Sequence, residues 1–362
     1  MGSSVNAELA GQRLRNQGIT GPPRRTAADV VAWLGAVQAQ EYTAASWALA
    51  LRMADGTTGV AIQRAFDAGR ILRTHVMRPT WHFVTPLDIR WMLDLTAPRV
   101  HQRMQPYNRR MELDRSTCNR AAGVIERALS GGRHLTRPEL AESLAHAGIA
   151  ARTQRLAHLM LHAELEGVAC SGPRRGTQFT YALVAERAPQ ARRLPREEAL
   201  AELTRRYFRS HGPATIRDFV WWSGLTTPDG KRGLEMIRAR RRVVDGLTYW
   251  SLGDVPAQPA RQRRVHLLPV YDEYLVAYRD REAVPHWVTG MAPAAGRIAA
   301  FQNALIVDGQ VAGTWRPGRS GGTMTIDVRP VRSLTAATER ALRDASSRFA
   351  HFAGAQMRLA IA

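Results

Sequence analysis

Thr136-Arg137-Pro138-Glu139, together with the residues that flank it, decides the fold. Thr136 is a helix N-cap residue, Pro138 suits a first helical turn, and Glu139, three places after the cap, completes a capping box. The helix that starts here runs to about Ala147, where Gly148 stops it. Before it, Ser116–Leu129 places Val124, Ile125, Ala128 and Leu129 on one apolar stripe; after it, Arg152–Glu166 spaces Leu156, Leu159, Met160 and Ala163 as a helix does. Two β-like segments follow, Val168–Ser171 and Gln178–Leu183, separated by the basic turn Gly172-Pro-Arg-Arg-Gly-Thr. Three helices and then a hairpin with a basic tip is the order of a winged helix-turn-helix. The third helix of such a module ordinarily enters the major groove, and its wing meets phosphate.

The order repeats downstream. Arg196–Ser210 reads as a helix, Thr215–Trp222 as a second capped by Thr215, and Thr227–Arg240 as a third with Pro228 in its first turn. Two β-like runs then flank Asp245-Gly246, the strongest short hairpin signal. Upstream, helices are expected near Ala7–Gln17, Ala27–Gly35, Ala44–Arg52 and Val60–Ala68. Two strands follow them, Ile71–His75 and Thr80–Val84, joined by a turn holding Arg78 and Pro79. Beyond Val255–Arg264, a Pro- and Arg-rich linker, the pattern changes. His266–Val270 begins a β-like run, Leu305–Trp315 is a hairpin about Asp308-Gly309, Gly322–Val328 continues the sheet, and Thr335–Ala353 is a long helix. The prediction is an α+β chain of three tandem winged helix-turn-helix modules (1–115, 116–194, 195–257), followed by a small β-rich C-terminal module with a terminal helix (258–362).

Arginine carries the charge. Lys+Arg number 51 against 31 Asp+Glu, a net +20 over 362 residues, and Lys231 is the only lysine. A surplus of this size repels itself unless a polyanion is the working partner, and double-stranded DNA fits winged helices. A hydrophobic share of 45% and a charged share of 23% suit a globular chain with a large core. No apolar run reaches the roughly 18 residues of a membrane span. No secretory signal opens the chain, and Cys118 and Cys170 lie too far apart for a CxxC pair or a disulfide framework. These features predict a cytoplasmic, nucleoid-associated protein with no membrane association.

The common nucleotide-binding and hydrolase signatures are missing: no GxxxxGK[ST] or GxGxxG loop, no GxSxG elbow, no HExxH. No cofactor and no metal is expected; His158 and His162 stand four apart on a predicted helix, but no third ligand lies near them in sequence. Asp272 and Glu273, in a predicted strand, would point to opposite faces, which suits one carboxylate holding an arginine better than a catalytic pair. Gln38-Ala39-Gln40 differs in kind. It follows a helix that ends near Val37. As further helix, its two amides would point about 200° apart. In an extended segment they share one side and can grip one water or one base edge. Spacing by itself also describes two surface amides.

Four stretches together resemble the AlkZ-like family of bacterial winged-helix DNA glycosylases, typified by an azinomycin B resistance enzyme. They are Leu34-Gly-Ala-Val-Gln-Ala-Gln-Glu, Leu72-Arg-Thr-His-Val-Met-Arg-Pro-Thr-Trp-His-Phe-Val, Leu267-Leu-Pro-Val-Tyr-Asp-Glu-Tyr-Leu-Val-Ala-Tyr-Arg-Asp-Arg and Val307-Asp-Gly-Gln-Val-Ala-Gly-Thr-Trp-Arg. They span residues 34 to 316, nearly the whole chain. The resemblance implies three winged helices around a basic DNA channel and excision of alkylated bases. The family's catalytic element is two glutamines about an apolar residue, which maps onto Gln38 and Gln40. A related branch has Asp in place of the second Gln; this sequence does not. The resemblance therefore implies the branch whose members often protect producers of DNA-alkylating compounds.

Chemistry is consistent with that reading. Alkylation at guanine N7 puts positive charge on the base and weakens its bond to the sugar, so what remains is to place a water against C1′. Two amides can orient it. Glycosylases that also cut the backbone need an amine nucleophile, usually lysine. Lys231 lies in a charged stretch that reads as solvated surface, so a monofunctional hydrolase without lyase activity is expected. Thr80 and His82 share one strand face and could act in catalysis or contact DNA; His82 could equally be a hydrogen-bonded interior residue. Arg78, Arg174, Arg175 and Arg316 are the expected DNA contacts. The partner expected is double-stranded DNA with alkylated purines, bound by a monomer. The competing function is a non-catalytic winged-helix transcriptional regulator, the commoner use of such modules.

Overall fold

The capping box at Thr136 forms as its residues require: the Thr136 backbone N–H donates to Glu139 Oε2 at 2.6 Å. In the computed structural model of the protein, which describes residues 2–253, 265–279 and 302–362, this box opens the second helix of the second of three similar units. The first unit comprises α1 (Gly2–Asn16), α2 (Ala27–Leu34), β1 (Val37–Gln38), α3 (Tyr42–Ala50), α4 (Gly59–Asp67), β2 (Leu72–Val76) and β3 (Arg78–Val84). A long helix, α5 (Ile89–Arg110), leads to the second: α6 (Arg115–Leu129), β4 (Leu135–Thr136), α7 (Arg137–His146), α8 (Thr153–Leu165), β5 (Ala169–Ser171), β6 (Thr180–Leu183) and the single turn α9 (Val184–Arg187). The third is α10 (Arg196–Ser210), α11 (Ile216–Ser223), α12 (Thr227–Glu235), β7 (Arg240–Val244) and β8 (Leu247–Ser251). The predicted third helix of this unit therefore stops short of Arg240, because Arg240 already belongs to the hairpin.

In the first two units a two-residue strand, β1 after α2 and β4 after α6, pairs with the second strand of the hairpin. The sheet orders are β1-β3-β2 and β4-β6-β5, and in the third unit Ala214 forms a single bridge to Trp250 on β8. The third hairpin turns on Asp245 (φ 47°) and Gly246 (φ 77°), the left-handed pair that an Asp-Gly turn requires. In the first hairpin the turn is Met77 (φ 64°), while Arg78 and Pro79 lie in β3 and not in the turn. No sequence signal pointed to α5. Pro98 and Pro106 both lie inside it, and each removes a helical N–H.

The C-terminal part contains β9 (Val265–Leu268), α13 (Glu273–Val276), β10 (Ala304–Val307), β11 (Gln310–Ser320), β12 (Thr323–Pro330), α14 (Ala336–Phe352) and β13 (Gln356–Ile361). Its five strands run in the order β13-β12-β11-β10-β9. The expected terminal helix is present, but the chain continues past it into β13, which pairs parallel with β12. The linker reading for Val255–Arg264, and the last two residues of the 267–281 stretch, lie outside the described residues.

This part shares its core with the first unit. Trp47 of α3 packs on Phe349 and Phe352 of α14, with ring centres 5.1 Å apart in both cases, and its indole N–H donates to the Leu267 carbonyl at 2.7 Å. Burying one such aromatic contributes about 1.5–3 kcal/mol, so the C-terminal sheet stabilises the unit that carries Gln38. A second core joins Leu72, Val76 and Val84 of the first hairpin to Trp91 on α5 and Phe219 and Trp222 on α11. The helix α8 packs inward: every residue from Leu159 to Leu165 is buried. No helix among the described residues is long and apolar enough to cross a membrane.

Candidate active site

Gly35 ends α2 at φ 86°, and the chain enters β1 extended. Val37 pairs with Phe83 and Gln38 with His82, and the Ala39 N–H donates to the Trp81 carbonyl at 2.7 Å. The extended reading of this segment thus matches the backbone. The equivalent junctions of the other units are shorter. Thr136 is both the last residue of β4 and the N-cap of α7; Ala214 bridges to β8 and Thr215 caps α11. In the first unit Ala39, Gln40 and Glu41 intervene, and Glu41 caps α3 without a side-chain hydrogen bond.

Arg78 organises the Gln38 amide. Its Nη2 donates to Gln38 Oε1 at 2.9 Å and lies 3.4 Å from His82 Nε2. His82 Nδ1 is 2.9 Å from the Thr80 carbonyl, which can only accept, so the proton sits on Nδ1 and Nε2 is left to accept from Arg78. Burial, and after it the charge of Arg78, pushes the pKa of His82 well below its ordinary value, which keeps the ring neutral. Arginine has no acceptor, so it fixes the oxygen of Gln38 toward itself and turns the amide NH2 the other way. His82 is fully buried and touches the cleft only through Arg78. Gln40 is half-buried beside Trp81, whose N–H lies 3.4 Å from Gln40 Oε1, and it does not line the cavity that Gln38 lines.

The backbone of Gln38 is held from far along the chain. Its N–H donates to Glu273 Oε1 at 2.7 Å, the Trp222 indole N–H donates to Glu273 Oε2 at 3.0 Å, and His211 Nε2 stands 3.5 Å from the same oxygen. Asp272 accepts two hydrogen bonds from Arg52, both at 2.9 Å. The strand predicted through these two carboxylates is not formed: Tyr271 turns at φ 62° and Asp272 caps α13. Both side chains are buried, one gripping an arginine and the other the Gln38 backbone N–H, so neither reaches solvent.

Gln38 lines a cavity of about 420 Å³. Arg78, Pro79 and Thr80 continue its wall; Arg103 of α5, Arg217 and Trp221 of α11, Thr227 at the start of α12, and Arg279 form the rest. The packing that closes it is tight. Gly224 ends α11 at φ 72°, and a Cβ there would lie 2.1 Å from the Met77 carbonyl oxygen, so only glycine lets α11 approach the first hairpin this closely. Trp221 remains 42% exposed with its indole N–H on the Val276 carbonyl, presenting a flat apolar face beside four arginines. The Thr80 hydroxyl has no hydrogen-bond partner among the described residues.

Other expected contacts are placed elsewhere. Arg174 stacks near Tyr42 and Phe179 and donates to the Thr177 carbonyl. Arg175 pairs with Glu139 at 2.8 Å. Arg316 is exposed on β11 opposite Asp327, and none of these three lines the Gln38 cavity. Sequence reasoning missed Arg103, Arg217, Arg279, Trp221 and the role of Glu273. They come from three separated stretches, at 103, 217–221 and 273–279, and only the fold joins them.

Comparison with known proteins bears on this arrangement. A family profile described as DNA glycosylase AlkZ-like matches residues 31–352. An interstrand DNA cross-link repair glycosylase of Streptomyces sahachiroi is 26% identical over 326 residues, covering 84% of this chain and 85% of that protein. The solved structure of Streptomyces sahachiroi DNA glycosylase AlkZ superposes with a TM-score of 0.81 at 22% identity, over 98% of this chain and 99% of the other. The regulator reading is accordingly not favoured. The chain belongs to the AlkZ-like family of DNA glycosylases, DNA-binding repair enzymes that hydrolyse N-glycosyl bonds.

Proposed function

We propose that this protein is a monofunctional glycosylase that releases N7-alkylated guanines from duplex DNA, including bulky adducts and interstrand cross-links. The observation that carries the proposal is the Gln38 amide, fixed by Arg78 in the wall of a cavity lined by four arginines. The arginines suit the phosphates on either side of a lesion. Trp221 offers a flat face for an unstacked base or an aromatic adduct. The cross-link reading is also supported by the name of the Streptomyces relative.

The reaction needs little acid. An N7-alkylated guanine leaves as a neutral base, while the sugar gains oxocarbenium character. Gln38 holds the attacking water against C1′ from the cavity wall, and Gln40, which stands outside that wall, completes the grip once its amide turns toward the water. With its oxygen occupied by Arg78, Gln38 offers NH2 donors and one remaining lone pair on that oxygen. The contact of Gln40 with the Trp81 N–H is long, at 3.4 Å, so its amide can turn to the water at little cost. Lys231 is exposed on α12 and does not line the cavity, which supports hydrolysis without a lyase step. We read the three units as tandem winged-helix modules with the boundaries 1–115, 116–194 and 195–257 and a C-terminal module 258–362, acting as a cytoplasmic monomer on DNA. Whether the substrate load comes from ordinary damage or a self-made toxin is a matter of adduct preference.

Duplexes carrying 7-methylguanine, or an N7 cross-link, should release free base and leave alkali-labile sites, with no borohydride-trappable enzyme–DNA adduct. Gln38→Ala and Gln40→Ala should each lower single-turnover excision on the order of 100-fold while DNA affinity changes less than about twofold. Full activity in both variants would refute the site, and no base release from any N7 adduct would refute the substrate class.

A further inference from the structure

We propose that His101, His162 and Glu166 form a zinc-type divalent metal site that clips α5 to α8, separate from the Gln38 cavity. The ligand atoms of these three side chains all lie within 4.8 Å of one another. His162 and Glu166 stand four apart at the end of α8, on one face, and His101 faces them from α5. The sequence offered His158 as the partner of His162; instead His158 Nδ1 lies 2.7 Å from Asn108 Oδ1. The third ligand that local spacing lacked comes from a helix far away in the chain.

The three ligand atoms are gathered but stand wider apart than around a bound ion. Two ligands at 2.0–2.1 Å from a tetrahedral zinc stand about 3.3 Å apart. Glu166 Oε1 and His101 Nε2 are already 3.0 Å apart. The widest separation must close by about 1.5 Å, and the half-exposed Glu166 at the helix end has the freedom to do so. His162 Nε2 lies 3.0 Å from Asn119 Oδ1, so that nitrogen carries the proton and the other keeps its lone pair. Metal-binding imidazoles are ordinarily held by such an outer partner.

The surroundings fit a cation. The three residues line a cavity of about 720 Å³, into which a fourth position of the ion would open for water. Asp94, Asp114 and Glu166 outnumber Arg109 and Arg115 in its wall. Two imidazoles and one carboxylate favour zinc over magnesium or calcium, which prefer all-oxygen sites. None of the three residues lines the Gln38 cavity, so the inference stands apart from the glycosylase reading.

Isothermal titration of the untagged, chelator-stripped full chain with zinc chloride tests it, alongside thermal unfolding. One ion per chain and a rise in Tm are expected with zinc, and no rise with magnesium. Glu166→Gln changes a half-exposed side chain and should fold as the parent does; its zinc affinity should fall about tenfold or more. His162→Ala should lose the binding, and His158→Ala should retain it. Binding that is absent in the parent chain, or equal in Glu166→Gln, would overturn the proposal.

Discussion

Glu273 grips the backbone of Gln38 while Arg78 grips its side chain, so the residue is held at both ends. A carboxylate buried with an indole N–H, a peptide N–H and an imidazole around it holds its place through charge-assisted bonds. Glu273→Gln keeps the shape and one acceptor but brings an NH2 group against two donors. The expected outcome is a fall in kcat on the order of 10- to 100-fold with KM little changed, because the amide proposed to hold the water shifts while the arginines do not. Steady-state kinetics on a 7-methylguanine duplex check this; a change in KM alone would assign Glu273 to DNA binding instead. At this scale Gln38 and Gln40 stood out in the sequence through the family resemblance, since their spacing describes two surface amides equally well. Glu273 was hidden because the apolar run Leu267–Leu268 before it looked like the start of a longer strand. The left-handed Tyr271 that breaks the run is not a residue type that announces a turn.

At the scale of elements, the site occupies a strand–helix junction that its two counterparts close with threonine caps. The first unit forgoes that cap: Glu41 has extended dihedrals at the start of α3 and no side-chain bond to the helix. Glu41→Ser should restore it and raise unfolding stability by about 1 kcal/mol in chemical denaturation. Unchanged stability would mean that water already satisfies the first turn. The same caps explain which elements could be read in advance. The Thr136 and Thr215 boxes and the Asp245-Gly246 turn are local chemistry, visible in a few residues. The helix α5 was invisible because its two prolines argue locally against a helix that packing on α8, α10 and the first hairpin enforces. Likewise β13 forms only because β12 offers it an edge.

Across the whole molecule, buried ion pairs tie the units together, and Asp88 is the clearest. It accepts from Arg206 of α10 at 2.6 and 3.1 Å and from Arg192 at 2.7 Å, with Thr85 and Trp91 beside it. Burial alone would raise its pKa; Arg206 and the hydroxyl and indole donors outweigh that and bring it down to about 2. An aspartate whose folded pKa lies below its unfolded value of 3.8 stabilises fully above about pH 4, and that contribution is lost as pH falls toward 2. The loss should be about 2 kcal/mol in denaturant titrations at the two ends of this window, and Asp88→Asn should flatten the slope. An unflattened slope would place the acid sensitivity elsewhere. The inward turn of α8 has a different consequence. In a free winged helix, the third helix is the instrument that spells out base order. In α8 the C-terminal half is buried and holds the His75 ring and backbone through Glu164, while Thr153 and Gln154 at its start stay exposed. A helix half that is spoken for inside the protein cannot also meet a duplex, so any contact that α8 makes with DNA falls to its first turn.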